Sequence, residues 1–176
     1  MCFLGNSIFS TKDRGKVKVE DLNNSDILLD GKGGEYEIVN IYKLPEYKVV
    51  KMVRIMVGQI NGQIPIERLY LKPTHYVKIN APGLPEIIKA KDFVDKYRLA
   101  EYEKYNIINF YLLNVRQVLD ETSDNMNTDI VKPLSPTEKI NHFVEVNGLS
   151  CSVYNTSHPL NNRFQKYSIN KKLMLE

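Results

Sequence analysis

Two Asn-Gly pairs set the strongest limit on what this chain can fold into. Asn147-Gly148 separates Phe143 to Val146 from Leu149 to Tyr154, and Asn61-Gly62 separates Val49 to Val57 from Ile64 to Leu71. Asparagine and glycine tolerate the positive φ that a two-residue hairpin turn demands, so each pair predicts an antiparallel return. The rest of the chain reads the same way. Lys16-Val17-Lys18-Val19-Glu20 alternates with period two, as does Glu35 to Tyr42. Ile27-Leu28-Leu29 is a short apolar run between the turn formers Asp21 to Asp26 and Asp30 to Gly34, and Tyr76 to Ile79 follows Pro73. Ile107 to Val118 is also strand-like. Only residues 89–105 carry helical spacing, through Ala90, Phe93, Val94, Tyr97 and Ala100. The expectation is a mostly-β fold of short strands and hairpins with one short helix near 89–105. It is a single domain over residues 2–158 followed by a polar, basic tail at 159–176, with Asp120 to Asn127 as a polar loop.

Composition narrows the function classes. At 176 residues, with 43% hydrophobic and 26% charged residues, the chain is long enough for one packed core. Its 24 basic and 21 acidic residues are interspersed, and the net charge is only +3. Nucleic-acid binding needs a basic stripe that tracks phosphates, and none is present. No apolar run is long enough to span a bilayer. The opening residues lack the basic and apolar regions of a secretory signal. Two cysteines cannot staple a fold of this size.

The inventory of chemistry is small: three histidines and two cysteines. No CxxC or HxxxH pair supplies metal-ligand spacing, so no metal is expected. No phosphate-cradling glycine motif or nucleophile elbow occurs, and no cofactor is expected. Cys2 stands out. A thiolate is a far better nucleophile near neutral pH than a hydroxyl, and the peptide bond before it is held at high effective molarity. The plain alternative is a buried cysteine that only packs.

The company Cys2 keeps favours the first reading. Cys2-Phe3-Leu4-Gly5-Asn6-Ser7-Ile8, then Val17 to Leu22 and Ser25-Asp26-Ile27-Leu28, resembles the opening of the Hint domain shared by hedgehog autoprocessing domains and inteins. Ser25 stands where that family has glycine. Ile66 to Val77, through Leu71-Lys72-Pro73-Thr74-His75, is similar to the family's second block, and Lys89-Ala90-Lys91-Asp92-Phe93-Val94 to the stretch after it. His142-Phe143-Val144-Glu145-Val146-Asn147-Gly148-Leu149-Ser150-Cys151 resembles the Vint branch, as does Asn109-Phe110-Tyr111-Leu112 before it. Each match is weak alone; in order they cover residues 2 to about 155.

The resemblance implies autocatalytic processing. Cys2 would attack the carbonyl of the preceding residue, turning the Met1-Cys2 amide into a thioester by an N-to-S acyl shift. The substrate is then the chain's own upstream polypeptide, and water or a small thiol is the acceptor. His75 would hold the scissile amide and protonate its nitrogen as it leaves. Such a domain is expected to act as a single-turnover monomer, with Cys2 kept reduced. Lys72 replaces the family's Thr or Ser three residues before the histidine, a departure that points toward a catalytically degenerate Hint module. Thr74 is the neighbouring hydroxyl that could substitute, although a strand-like neighbour of His75 would face the opposite way. Sterol transfer is not expected, since the activating carboxylate has no counterpart in Tyr42-Lys43-Leu44-Pro45. His142 matches a histidine that assists splicing in the family. Asn155 and Thr156 form a candidate C-terminal splice site for a cis-splicing mini-intein, although Tyr154 replaces the penultimate histidine, and Asn155 reads first as an ordinary turn residue. Asp26 is expected to bond turn amides. Cys151 is either a core thiol or a disulfide partner for Cys2.

Overall fold

The computed structural model describes residues 2–118 and 141–155. The Asp120 to Asn127 loop, Thr156 and the 159–176 tail lie outside the described residues. The first strands are β1 (Phe3–Leu4), β2 (Ile8–Thr11), β3 (Gly15–Lys18), β4 (Ile27–Leu29) and β5 (Glu35–Ile55). Next come β6 (Leu69–Leu71), β7 (Tyr76–Lys78) and β8 (Ile87–Lys89), then the helix α1 (Ala90–Asp95), β9 (Glu101–Gln117), β10 (Asn141–Val146) and β11 (Leu149–Asn155). All the strands belong to one sheet, ordered β10-β2-β4-β5-β6-β1-β9-β11-β7-β8, with β3 beside β2. Two further pairings, β10 with β11 and β5 with β9, close a ring through β10, β2, β4, β5, β9 and β11. Closure gives these strands partners on both sides and removes open edges. The fold is mostly β, as the turn pattern implies.

A long ribbon forms the backbone of this ring. β5 and β9 pair antiparallel from Tyr36↔Gln117 to Arg54↔Glu101, with register shifts between Ile38 and Asn40 and between Pro45 and Lys48. The two runs read separately from the sequence, Glu35 to Tyr42 and Val49 to Val57, are one strand. Pro45, which has no N–H to donate, sits at the second irregularity, where a ladder tolerates it.

The helix is shorter than expected. Ala90 and Phe93 are buried as helical spacing requires, but α1 ends at Asp95 and Arg98 turns the chain at φ 53°. From Glu101 the chain belongs to β9, because residues 51–54 of β5 need an antiparallel partner and Glu101 to Lys104 supply it. Tertiary pairing overrides the local pattern. The first Asn-Gly pair also does less than a tight hairpin would. Asn61 and Gly62 have φ of 73° and 79°, but they turn a longer connection, and only Leu69–Leu71 returns as β6 against Val53 to Ile55. The second pair is the predicted hairpin, with Val146 opposite Leu149 and φ of 51° and 79° at Asn147 and Gly148.

The sheet buries apolar side chains on both faces. Phe3, Leu71, Tyr111, Leu113, Cys151 and Val153 enter one cluster. Their alternating neighbours Cys2, Leu4, Tyr70, Phe110, Leu112 and Tyr154 enter the other. Successive side chains on a strand point to opposite faces, so one strand serves both clusters.

Candidate active site

β1 is only two residues long, but it lies between two partners. Phe3 pairs with Leu71 of β6 on one side and with Tyr111 of β9 on the other. The residue just before it, Cys2, is thereby held in the interior, 7% exposed, among Leu4, Tyr42, Phe110, Leu112 and Tyr154. Phe3 is fully buried on the opposite face, where its ring meets Phe9 edge-on at 4.9 Å. An aromatic anchor one residue downstream fixes the backbone that carries the thiol.

His75 comes to the same place from β6 through a tight turn. Pro73 and Thr74 occupy its corner, and the His75 N–H donates to the Lys72 carbonyl at 3.0 Å. The His75 ring is completely buried and packs edge-on against Phe3 with centroids 4.6 Å apart. Its Nε2 lies 2.8 Å from the Ser152 carbonyl oxygen of β11. A carbonyl only accepts, so Nε2 carries the proton and donates it there, which assigns the neutral ring's lone pair to Nδ1. Nδ1 is buried and makes no hydrogen bond. Burial pulls the ring down to about 3, and the positive amino terminus pushes the same way; the backbones of Ser152 and Cys2 raise it again. The imidazole is therefore neutral at physiological pH, and Cys2 is among the backbone groups that reach it. Sulfur and ring occupy opposite faces of the sheet, with the Cys2 backbone between them.

β11 ties the site together. Its Ser152 carbonyl anchors His75, the buried Ser152 hydroxyl accepts the Tyr76 N–H at 3.2 Å, and two residues on Tyr154 enters the Cys2 cluster. Burial pushes the Tyr154 phenol up to about 12, and the neighbouring Cys2 adds to the rise. The sequence carries no signal for the part played by Ser152, since a backbone carbonyl is common to every residue. The part of Tyr154 is legible only as strand alternation.

Other expected site residues lie elsewhere. Thr74 is exposed at the turn while His75 is buried, so its hydroxyl does not share the buried site. His142 lies on β10, its ring 5.0 Å from Tyr36, beside a cavity of about 240 Å³ lined by Asp30, Lys32, Lys78 and Gln117. That cavity contains neither Cys2 nor His75. Asn155 is not a turn residue: it ends β11 in parallel register with Val115 and is buried. Both thiols are free; Cys151 is fully buried in the cluster opposite that of Cys2, and burial pushes its thiol far up. It is the core thiol of the two readings. Asp26 bonds the Asn23 N–H at 2.9 Å as expected, and it also receives a two-pronged bond from Arg14 at 2.8 and 2.7 Å. Among the described residues no group of three His, Cys, Asp or Glu could hold a metal, and no helix is long and apolar enough to cross a membrane.

Comparison with known proteins gives the architecture its class: the chain has a Hint-type fold, that of inteins and intein-like domains. The bacterial intein-like domain from Clostridium thermocellum superimposes with a TM-score of 0.50 at 12% identity, covering 88% of this chain and 98% of that one. The gp41-1 intein matches with a TM-score of 0.49 at 12% identity, covering 86% of this chain and 97% of that one. The MchDnaB-1 intein matches at 0.47 and 11% identity, covering 87% and 99%. No family model and no curated protein matches the sequence.

Proposed function

We propose that this domain cleaves the peptide bond before Cys2 in its own chain through a thioester. The observation that carries the reading is the fully buried His75, fixed at Nε2 by Ser152, bare at Nδ1, and with Cys2 among the backbone groups that reach its ring. In the proposed reaction the free lone pair takes the amide N–H of residue 2 and draws that nitrogen out of conjugation with the carbonyl before it. Cys2 Sγ approaches from the other face and bonds to the carbonyl carbon of residue 1, and the carbonyl π electrons move onto oxygen. Collapse of the oxyanion breaks the C–N bond. The thiol gives its proton to solvent as the C–S bond forms, and the departing nitrogen, held by His75, takes one up to become the α-amine of Cys2, so protons balance. Water or a small thiol then takes the acyl group.

The test is a precursor with a folded segment placed upstream of residue 1. Cys2→Ala is expected to leave it whole, and His75→Ala to slow release at least a hundredfold, both followed by gel over a day. Cleavage of the Cys2→Ala precursor at the same bond would overturn the reading. A folded wild-type precursor that stays intact in thiol would instead mark a Hint module that keeps the fold without the reaction.

One observation supports cis-splicing as the second reading. Asn155 is buried at the end of β11, directly after the tyrosine that shares the Cys2 cluster, which brings both ends of a splicing domain together. Ligated flanking segments, rather than two separate fragments, distinguish it.

A further inference from the structure

The departure that most weakens the family resemblance is a lysine, and the strand register says where that lysine goes. Phe3 faces Leu71 across the antiparallel pair of β1 and β6. Continuing that register by one residue sets Cys2 opposite Lys72. Directly opposed residues share a face of the sheet, with Cβ atoms about 5 Å apart. The clusters agree: Tyr70, two residues before Lys72, lies with Cys2, while Leu71 lies with Phe3. The side chain of Lys72 is half-buried, and its Nζ lies 4.3 Å from the centre of the Phe110 ring. Phe110 is itself part of the Cys2 cluster and pairs with Leu4. A flexible four-carbon stem rooted across the strand from the nucleophile thus carries a positive charge on the sulfur face, held by a buried aromatic ring.

We infer that Lys72 is an electrostatic catalytic residue, not a sign of decay: its ammonium takes the place of the missing hydroxyl and stabilises the negative charge that moves from Cys2 Sγ to the residue 1 carbonyl oxygen. The inference rests on the self-cleavage reading for its reaction, but the placement of the charge stands on the register and the ring contact. As the sulfur bonds to the carbonyl carbon, negative charge grows on the oxygen. A cation that leaves the Phe110 ring to meet that oxygen interacts more strongly with the transition state than with the resting amide. A lysine can do this where a hydroxyl would donate one hydrogen bond, because its charge acts over a longer distance in a site poor in water.

The test uses Lys72→Met, which keeps the length of the side chain and removes the charge, and Lys72→Arg, which keeps the charge. The turn to His75 uses the Lys72 carbonyl, so neither change removes that bond. In a precursor, Lys72→Met is expected to slow release tenfold to a hundredfold, and Lys72→Arg to recover most of the loss. The second measurement does not need cleavage. In a Cys151→Ser background, the Cys2 thiol is reacted with the dianionic disulfide of thionitrobenzoate and with the neutral disulfide of thiopyridine. The ratio of the two rates cancels differences in access and reads the charge beside the sulfur. Lys72→Met is expected to lower the anionic-to-neutral ratio about threefold to tenfold, and Lys72→Arg to hold it. A ratio unmoved by Lys72→Met overturns the inference whatever the precursor does. A fall in the ratio with normal cleavage by Lys72→Met overturns it too, since the charge would then be present without catalytic effect. A fall in the ratio with every precursor intact supports the charge placement and overturns the self-cleavage reading instead.

Discussion

His75 is a buried imidazole that the fold keeps uncharged, and this has a cost in acid. The unfolded chain takes up a proton on this histidine near pH 6.5, while the folded ring resists to about 3. Between those values the unfolded state binds more protons, so stability falls as pH drops and is complete only above about 6.5. The expected loss is about 1 kcal/mol per pH unit in that window. Urea unfolding at pH 7.5 and pH 5.5 measures it, and His75→Gln, which stays neutral throughout, is expected to flatten most of the slope. Burial also lowers the half-buried His142, so a smaller slope persists in the variant. Asp26 works in another range: its bond from Arg14 lowers the carboxyl, and its contribution is lost only in stronger acid, below the ordinary carboxylate range.

At the scale of the element, the hairpin of β10 and β11 is a clasp as well as a turn. Asn147 has positive φ, its Oδ1 accepts the Ile8 N–H at 2.7 Å, and its Nδ2 donates to the Arg68 carbonyl at 2.9 Å. Its backbone adds bonds to Ile8 and Ile66. Asn147→Ala removes both side-chain bonds and strains the backbone, and is expected to cost about 2–4 kcal/mol in urea unfolding. Asn147→Gly, which accepts the φ, should cost less. The sequence announces this turn through its Asn-Gly pair, because local chemistry alone decides a two-residue hairpin. It does not announce the clasp, whose partners lie 139 and 79 residues away. The same divide runs through the other elements. Strand alternation places Cys2 and Phe3 on opposite faces and predicts that Thr74 and His75 diverge. The end of α1 and the single run of β5 depend on a pairing that no local window contains. Cys2 and His75 stand out in the sequence as candidates for the proposed reaction, whereas the Ser152 carbonyl that fixes the ring, and the proposed cross-strand seat of Lys72, depend on register.

Taken whole, the described residues form a closed sheet in which Cys2, His75 and the Ser152 carbonyl of β11 gather about the two faces of β1. Substrate and nucleophile in the proposed reaction belong to one chain, so release should be first order and its half-life unchanged over a hundredfold dilution of precursor. Dependence on concentration would indicate that one molecule cuts another. The central claim is that an acyl group resides on the Cys2 sulfur during the reaction. Its most direct test is the intact mass of a precursor incubated with an excess of small thiol and, in parallel, with hydroxylamine. The account predicts an upstream fragment carrying the added thiol as a thioester, or converted to a hydroxamate, together with a downstream fragment that begins at Cys2. A precursor cut at this bond whose upstream fragment bears a free carboxylate under both reagents, with no captured acyl group, would contradict it.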